Sequence, residues 1–187
     1  GTGTITNDEH TLTYTAGAGG TITGTAIQTV NSGANGSAVT ATPDSGYRFV
    51  GWSDGVITAT RTDSNVTGNV TVTANFAIDE YTLTYTAGAG GAITGDATQT
   101  VNSGADGSAV TATPNSGYHF VEWSDGVTTA TRTDSNVTGD VTVTANFAIN
   151  EYTLTYTAGE NGTITGTASQ TVNSGADGSA VTATPNS

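Results

Sequence analysis

The chain lacks cysteine and lysine altogether, and it is poor in charged residues. Without cysteine there can be no disulfides, no thiolate nucleophile and no thiolate metal ligand. The three basic residues are all arginines, and the net charge of −13 argues against nucleic acid as a partner, because its phosphates demand clustered cations. No apolar run approaches the roughly 18 residues of a membrane-spanning helix, so we expect no membrane insertion.

What the chain does contain is an internal repeat. Leu12, Leu83 and Leu154 lie 71 positions apart, and so do Trp52 and Trp123. This period predicts two full copies of one unit and the first half of a third. The predicted domains are copy 1 at residues 10–80, copy 2 at 81–151 and copy 3 at 152–187, after residues 1–9 as the tail of an upstream module or a linker.

Alternating residues predict β-strands throughout each copy. Residues 81–86 alternate large apolar side chains with threonines, and residues 141–147 repeat the pattern with valine, alanine and phenylalanine. A period of two is typical of a strand with one buried face, and no segment shows the helical period of 3.6. We predict about six short strands per copy. The fold class is all-β, with tandem small β-sandwich or β-grasp-like domains arranged as a rod, since only four residues separate Phe147 from Tyr152.

Glycine, asparagine and serine indicate where these strands turn. Residues 124–126 are predicted to form a turn after the strand at residues 118–123. That strand carries bulk on both faces unless a bulge brings Phe120 and Trp123 to the same side. Residues 137–141 are predicted to form a tight hairpin into the last strand of the copy.

Few large side chains are available for a core. Both tryptophans and two of the four phenylalanines lie in residues 46–55 and 117–126, which share the pattern Gly-Tyr-x-Phe-Val-x-Trp-Ser-Asp-Gly. A domain of this size buries only about 60% of the surface of its unfolded chain, so these side chains must supply much of its stability. The predicted core residues are Tyr47, Phe49, Trp52, Phe76, Tyr118, Phe120, Trp123 and Phe147.

These patterns together resemble a known family. Gly-Tyr-Arg-Phe-Val-Gly-Trp-Ser-Asp-Gly, followed later in copy 1 by Val-Thr-Val-Thr-Ala-Asn-Phe, is similar to the divergent InlB B-repeat, related to the Listeria–Bacteroides repeats of bacterial surface proteins. The resemblance covers residues 10 to 187. It implies an extracellular stalk or adhesin-like segment with a β-grasp-like fold, and it implies no catalytic residues and no cofactor. Residues 1–9 resemble the closing strand of a Calx-beta domain.

Candidate catalytic and metal-binding residues are few. His10 and His119 are not shared between the copies and lie beside no serine or aspartate at a recognised spacing, so they do not predict catalysis. Asp54 and Asp125 are weak candidates for Ca²⁺ ligands, because a calcium site needs roughly six to eight oxygen atoms and no dense run of aspartates occurs. An aspartate before glycine is also typical of a turn, and we favour that interpretation.

Two functional classes follow from this sequence. The first is a non-enzymatic stalk, spacer or filament-forming part of a bacterial surface adhesin, joined to other modules of the same large protein. The second is a module that binds glycans or another host or surface ligand by avidity, with Trp52 and Trp123 as stacking platforms. Copy 3 contains no Tyr-x-Phe-x-x-Trp stretch. We therefore expect either a truncation after Ser187 or self-association through this incomplete copy by strand complementation.

Overall fold

The computed structural model describes residues 8–186, and within that range it contains strands and turns but no helix. The predicted all-β fold class is therefore confirmed. Among these residues there is accordingly no helix that could cross a membrane. The chain divides into two compact units. The first holds the described residues up to Tyr81 with Asn102–Ala105 and Asn136–Gly139, and the second holds Thr82–Val101, Asp106–Ser135 and 140–186.

Copy 1 contains seven strands, one more than the sequence predicted. They are β1 (Glu9–Ala16), β2 (Gly20–Thr23), β3 (Ile27–Asn31), β4 (Val39–Pro43), β5 (Tyr47–Trp52), β6 (Thr60–Arg61) and β7 (Val70–Ile78). Four of them form a sheet in the order β3-β1-β7-β5, in which β1 and β7 are parallel and the other neighbours are antiparallel. The remaining three form an antiparallel sheet in the order β2-β4-β6.

Copy 2 repeats this topology. Its strands are β8 (Glu80–Ala87), β9 (Gly91–Thr94), β10 (Thr98–Asn102), β11 (Val110–Pro114), β12 (Tyr118–Trp123), β13 (Thr131–Arg132) and β14 (Val141–Ile149). They form sheets in the orders β10-β8-β14-β12 and β13-β11-β9. Copy 3 contributes β15 (Glu151–Thr155), β16 (Gly162–Thr165), β17 (Ser169–Asn173) and β18 (Thr182–Pro185), which pair as β15 with β17 and β16 with β18.

The alternation of apolar residues and threonines sets the buried face of each strand. In β1, Leu12 and Tyr14 are buried, whereas Thr11 and Thr15 face solvent. Across the parallel pair, the Oγ1 atoms of Thr15 and Thr73 lie 2.7 Å apart and hydrogen-bond to each other. Branched side chains suit a pleated outer surface, and paired hydroxyls satisfy one another there.

Both sheets of a copy contribute to one core. In copy 1 the small sheet supplies Val39 and Ala41 from β4, and these pack in the same cluster as Leu12, Trp52 and Val72 from the large sheet. With so few large side chains, each of them fills a large part of the interior. The first and last strands of the copy meet in this core, so neither half of the sequence can complete it alone.

The aromatic strand at the edge of the large sheet contains a bulge. The register of β5 against β7 shifts between Phe49 and Gly51, and β12 has the same shift after Phe120. The extra residue brings Phe49 and Trp52 to the same side, with ring centroids 6.0 Å apart. Of the two arrangements that the sequence left open for this strand, the bulged one is present.

The hairpin predicted at residues 137–141 is wrong. β13 pairs with β11 in the small sheet, whereas β14 pairs with β8 and β12 in the large sheet. Residues 133–140 therefore cross from one sheet to the other. Local alternation indicates two strands here, but it carries no information about which sheet each strand joins.

Consecutive copies are connected by a single residue outside the strands. β7 ends at Ile78 and β8 begins at Glu80, so only Asp79 lies between them, and Asn150 has the same place between β14 and β15. The connection is shorter than the four residues expected, because the flanking strands extend further than the alternation of residues indicated.

Candidate functional site

A charged cluster lies beside the tryptophan of each full copy. In copy 1, Arg61 on β6 is only 8% exposed. Its guanidinium carbon lies 5.1 Å from the ring centroid of Trp52 and 5.8 Å from that of Tyr14. A cation over an aromatic face is stabilised by the negative charge density of the ring, and more so where water is excluded. The arginine thus ties the short strand β6 to the aromatic core.

Two aspartates neutralise this arginine. Arg61 Nη2 donates to Asp63 Oδ1 at 2.6 Å, and Nε donates to Asp63 Oδ2 at 3.2 Å. Nη1 donates to Asp54 Oδ1 at 3.1 Å. The hydroxyl of Tyr14 donates to Asp63 Oδ2 at 2.6 Å, so one carboxylate joins β1 to the segment after β6. Hydrogen bonds that involve ionised groups are shorter and stronger than neutral ones.

These contacts shift the ionisation of the cluster. Burial raises the pKa of Asp63, but hydrogen bonds from Arg61 and Tyr14 outweigh it, and the pKa is lowered overall. The hydrogen bond from Arg61 lowers the pKa of Asp54. Burial acts to lower the pKa of Arg61, yet its bonds to both aspartates raise it. Burial and the bond to Asp63 raise the pKa of Tyr14. No member therefore exchanges a proton near neutral pH, as a general acid or base must.

Copy 2 builds the same cluster around Arg132. The guanidinium carbon lies 5.2 Å from the ring centroid of Trp123. Arg132 Nη2 donates to Asp134 Oδ1 at 2.6 Å, and Nη1 donates to Asp125 Oδ2 at 2.9 Å. The hydroxyl of Tyr85 donates to Asp134 Oδ2 at 2.6 Å. The cluster is thus a feature of the full repeat and not of one copy.

The two aspartates considered as calcium ligands contact arginine. Asp54 forms an ion pair with Arg61 at 3.0 Å, and Asp125 forms one with Arg132 at 2.9 Å. Each aspartate also accepts a long hydrogen bond, at 3.4 Å, from the backbone N–H two residues on, as in an aspartate turn. Within residues 8–186 no group of three or more histidine or acidic side chains could hold a metal ion. The contacts with arginine and the turn account for the positions of the two aspartates.

The tryptophans are enclosed by the fold. Trp52 and Trp123 are 2% and 0% exposed. Each indole N–H donates to a backbone carbonyl, that of Thr58 at 3.0 Å and that of Thr129 at 3.1 Å. A sugar stacks on an exposed ring face. The stacking platform required by the glycan-binding hypothesis is therefore not present at these residues.

The other predicted core residues surround the tryptophans. Phe49 packs edge to face against Phe76, with 5.9 Å between the ring centroids, and Phe120 and Phe147 form the same pair in copy 2. All four phenylalanines are half-buried. Tyr118 departs from its predicted place in the core, because 36% of its surface is exposed.

Two glycines in each full copy lie directly beneath aromatic rings. A Cβ atom added to Gly20 would lie 2.4 Å from the ring of Phe76, and one added to Gly19 would lie 2.2 Å from the ring of Tyr47. In copy 2 the equivalent glycines lie under the equivalent rings, at 2.3 and 2.2 Å. Any side chain at these positions would displace the rings. These glycines, at or immediately before the start of β2 and β9, thus leave room for the aromatic side chains.

The histidines contact single oxygen atoms. His119 Nδ1 lies 2.8 Å from Asn150 Oδ1, and His10 Nε2 lies 4.0 Å from Asp8 Oδ2. Neither contact joins a nucleophile to a base, which is the arrangement that covalent catalysis needs.

The arginine cluster was not predicted from the sequence, although one signal was available. Arg61 and Arg132 are two of only three basic residues, they lie 71 positions apart, and each precedes an aspartate by two residues. Such repetition in a chain without lysine indicates a constant role. The hydrogen bond between Tyr14 and Asp63 joins residues 49 positions apart, so no local sequence pattern predicts it.

Comparison with known families gives one match that recurs along the chain. The family model described as the divergent InlB B-repeat domain matches residues 10–80, 81–151 and 152–187. No match supports the resemblance of residues 1–9 to a Calx-beta domain, and residues 1–7 lie outside the described part of the chain. No curated protein and no solved structure matches the chain significantly.

Proposed function

The chain belongs to the divergent InlB B-repeat family, and on that premise we propose that it is a non-catalytic extracellular spacer in a bacterial surface protein. The family is associated with bacterial surface proteins and is not typically enzymatic. In this role the copies hold other modules of the same protein, such as an adhesive domain, at a distance from the cell. Neighbouring modules are then the principal partners of the segment.

The observation that carries this proposal is the hydrogen bonding of the connecting residues. The N–H of Asp79 donates to the carbonyl of Gly46 at 2.8 Å, and its carbonyl accepts from the N–H of Ser103 at 2.7 Å. The backbone N–H and carbonyl of Asp79 are therefore both hydrogen-bonded. A connection with free backbone groups would act as a hinge, whereas a bonded one resists local motion, as a spacer requires.

The next connection has the same bonds. The N–H of Asn150 donates to the carbonyl of Gly117 at 2.8 Å, and its carbonyl accepts from Ser174 at 2.7 Å. A close contact accompanies the bonds, since a Cβ atom added to Gly117 would lie 2.8 Å from Ser174 Oγ. Gly117 also has a φ of +83°, which glycine adopts without strain. The repetition of the connection supports a spacer built by adding copies.

Pulsed electron–electron distance measurements between spin labels test this proposal. Thr21→Cys and Ala92→Cys introduce one labelling site in each full copy. No native thiol competes for the label, because the chain has no cysteine. Both positions are exposed and equivalent in the repeat. We expect one narrow distance distribution, because a single bonded residue connects the copies.

The matched control inserts a short Gly-Ser linker after Asp79 in the same doubly labelled chain. Flexible linkers behave as random coils, so this variant should give a broad distribution. A parent distribution as broad as that of the linker variant would contradict the spacer proposal.

A further inference from the structure

The chain offers few bonds to peptidases that cut after basic residues. Such an enzyme binds the side chain that precedes the cut bond in a pocket, and an acidic pocket selects lysine or arginine. The chain has no lysine, and its three basic residues are Arg48, Arg61 and Arg132. Only the bonds after these arginines carry the side chain that the enzyme requires, and the fold decides which of them is accessible.

The side chains of Arg61 and Arg132 are withheld by the core. Each guanidinium carbon lies close to the ring of its tryptophan, at 5.1 and 5.2 Å from the ring centroid, and each guanidinium donates to two aspartates. To enter a peptidase pocket, the guanidinium would have to leave both carboxylates and the ring. Breaking a buried pair in this way is strongly unfavourable, because the charges left behind lose their partner.

Arg48 is held less firmly than the other two arginines. Its side chain is 55% exposed, and its ion pair with Asp79, at 3.3 Å, lies at the surface. Its Nη1 also donates to the carbonyl of Ile78 at 2.7 Å. Ion pairs in contact with water contribute little to stability, since water solvates both groups when they separate. The guanidinium of Arg48 therefore leaves its partners at small cost.

The strand that carries Arg48 lies at the edge of the large sheet. In the described part of the chain, β5 pairs only with β7, and the bulge between Phe49 and Gly51 interrupts this ladder. Arg61 also lies in an edge strand, because β6 pairs only with β4 there. The two arginines thus differ in the burial of their side chains and not in the position of their strands.

We propose that the bond between Arg48 and Phe49 is where extracellular peptidases that cut after basic residues enter the folded chain. The residues before the bulge separate from β7, and the side chain of Arg48 fills the pocket of the enzyme. Hydrolysis breaks the bond between the carbonyl carbon of Arg48 and the nitrogen of Phe49. One water molecule supplies the hydroxyl of the new carboxyl group and one hydrogen of the new amine. The extracellular setting rests on the proposed function, whereas the accessibility of the bond does not.

Copy 2 has no equivalent entry point. His119 stands at the position of Arg48, and its side chain is not the one that an acidic pocket for lysine or arginine selects. The neighbouring tyrosine, phenylalanine and valine of the strand are the same in both copies. Copy 2 is therefore a matched comparison within the same chain, and the two copies should differ in their sensitivity to these enzymes.

Limited digestion of the full chain with trypsin tests the site, with the first products identified by intact-mass spectrometry. In the unaltered chain we expect the first cut after Arg48, and a cut after Arg132 should be roughly tenfold slower or more, because it follows the population of unfolded copy 2. Arg48→His, which supplies the residue of copy 2, should slow the first cut roughly tenfold or more. His119→Arg should add a first cut in copy 2 at about the rate of the cut in copy 1.

A basic residue in an exposed segment calibrates the enzyme. Gly68 lies between β6 and β7, it is exposed, and an added Cβ atom would meet nothing within 4 Å. Gly68→Lys should be cut at this position roughly tenfold faster or more than the parent is cut after Arg48, because no strand has to open. Gly68→Gln carries no charge at the same position and should be cut like the parent.

Three results would overturn the proposal. The first is an initial cut after Arg61 or Arg132 in the unaltered chain, an outcome that needs no variant to fold. The second is equal survival of the parent and the Arg48→His variant, whose thermal unfolding shows whether it is folded. The third is no cut after Arg48 during a digestion that cleaves the Gly68→Lys variant. None of these results bears on the width of the distance distribution between copies 1 and 2, so this proposal and the spacer proposal can fail separately.

Discussion

Copies 1 and 2 are two versions of one fold, and they differ at only eleven positions. The differing pairs are His10/Tyr81, Thr21/Ala92, Thr25/Asp96, Ile27/Thr98, Asn35/Asp106, Asp44/Asn115, Arg48/His119, Gly51/Glu122, Ile57/Thr128, Asn69/Asp140 and Asp79/Asn150. The tryptophan is identical in the two copies, and so are the tyrosine, the arginine and the two aspartates of the charged cluster. The buried charges are therefore as invariant between the two copies as the apolar core.

Two of the differing positions have changed together. In copy 1, Arg48 forms an ion pair with Asp79 at 3.3 Å. In copy 2, the equivalent residues are His119 and Asn150, and His119 Nδ1 lies 2.8 Å from Asn150 Oδ1. Each version supplies a contact between the aromatic strand, β5 or β12, and the residue that connects the copy to the next one. An exposed contact between these two positions is therefore made by different residue pairs in the two copies.

Other exchanges keep one atom and change a charge. Asn69 Oδ1 accepts a hydrogen bond from the N–H of Thr11 at 2.9 Å, and Asp140 Oδ1 accepts one from the N–H of Thr82 at 2.8 Å. Asparagine and aspartate both offer this oxygen. The backbone contact is kept while the surface charge varies.

The largest expected effect comes from removing the invariant tryptophan. Trp123→Ala should destabilise copy 2 by about 3–5 kcal/mol, because it opens a cavity at a fully buried side chain. Copy 1 should keep its own stability. Hydrogen exchange read by mass spectrometry distinguishes the copies, and Val121→Ala on the same strand, 43% exposed, serves as the control with little effect. Unchanged protection in copy 2 would show that the indole does not support the core.

Removing a buried arginine should have the next largest effect. Arg132→Met leaves two aspartates without their cation and should cost about 3 kcal/mol, the low end for breaking a buried pair, because Asp125 remains 38% exposed. Arg48→Met removes an arginine whose side chain is 55% exposed and should cost about 1 kcal/mol or less. Urea unfolding of the two variants measures both values. Equal costs would mean that burial of the cluster does not matter.

Lowering the pH should reduce the difference in unfolding free energy between the parent and the Arg61→Met variant. The pKa of Asp63 and that of Asp54 are lowered in the folded protein from a usual value of 3.8. Their ionised forms therefore add stability that is present above that value and is lost as the pH falls through the lowered pKa values. In the Arg61→Met variant this dependence should be weaker. The difference in unfolding free energy between parent and variant should shrink steadily below about pH 4, and a difference that stays constant to pH 2 would rule out the ionised cluster as its source.

The smallest effect is expected from converting the exposed contact of copy 1 into that of copy 2. The double variant Arg48→His with Asp79→Asn should change stability by about 0.5 kcal/mol or less, and each single variant should cost no more than about 1 kcal/mol. A double-mutant cycle in thermal unfolding measures the coupling. A cost of several kcal/mol for the double variant would show that the contact depends on further partners.

Local patterns in the sequence predicted the strands well, because the alternation of threonine with apolar residues directly reflects a buried and an exposed face. Val143 and Ala145 are buried, while Thr142 before them and Asn146 after them are exposed. The same patterns could not place β13 and β14 in different sheets, because a strand shows the same alternation of residues whichever sheet it joins. Fold class was accessible from the sequence for this reason, and the crossing at residues 133–140 was not.

The arginine cluster was beyond the local patterns for a related reason. Arg61 reads as an ordinary polar residue in a short, weak strand, and only the packing of Trp52 and Tyr14 around it makes it a buried one. Its partner Asp54 was a weak calcium candidate, because the sequence shows the acidic residue but not which cation it contacts. Contacts between distant residues decide which charges are buried.

The parallel pairing of β1 with β7 also determines how a full copy carries tension. The copy begins with β1 and ends with β7, and the two run side by side from Leu12 opposite Val70 to Ala16 opposite Ala74. A pull on the two ends of the copy moves these neighbours in opposite directions along their length. Such a load is shear, and the hydrogen bonds of the whole ladder resist it at once and do not open one after another. Each added full copy therefore lengthens the chain without adding a strand pair whose hydrogen bonds would open one after another under tension.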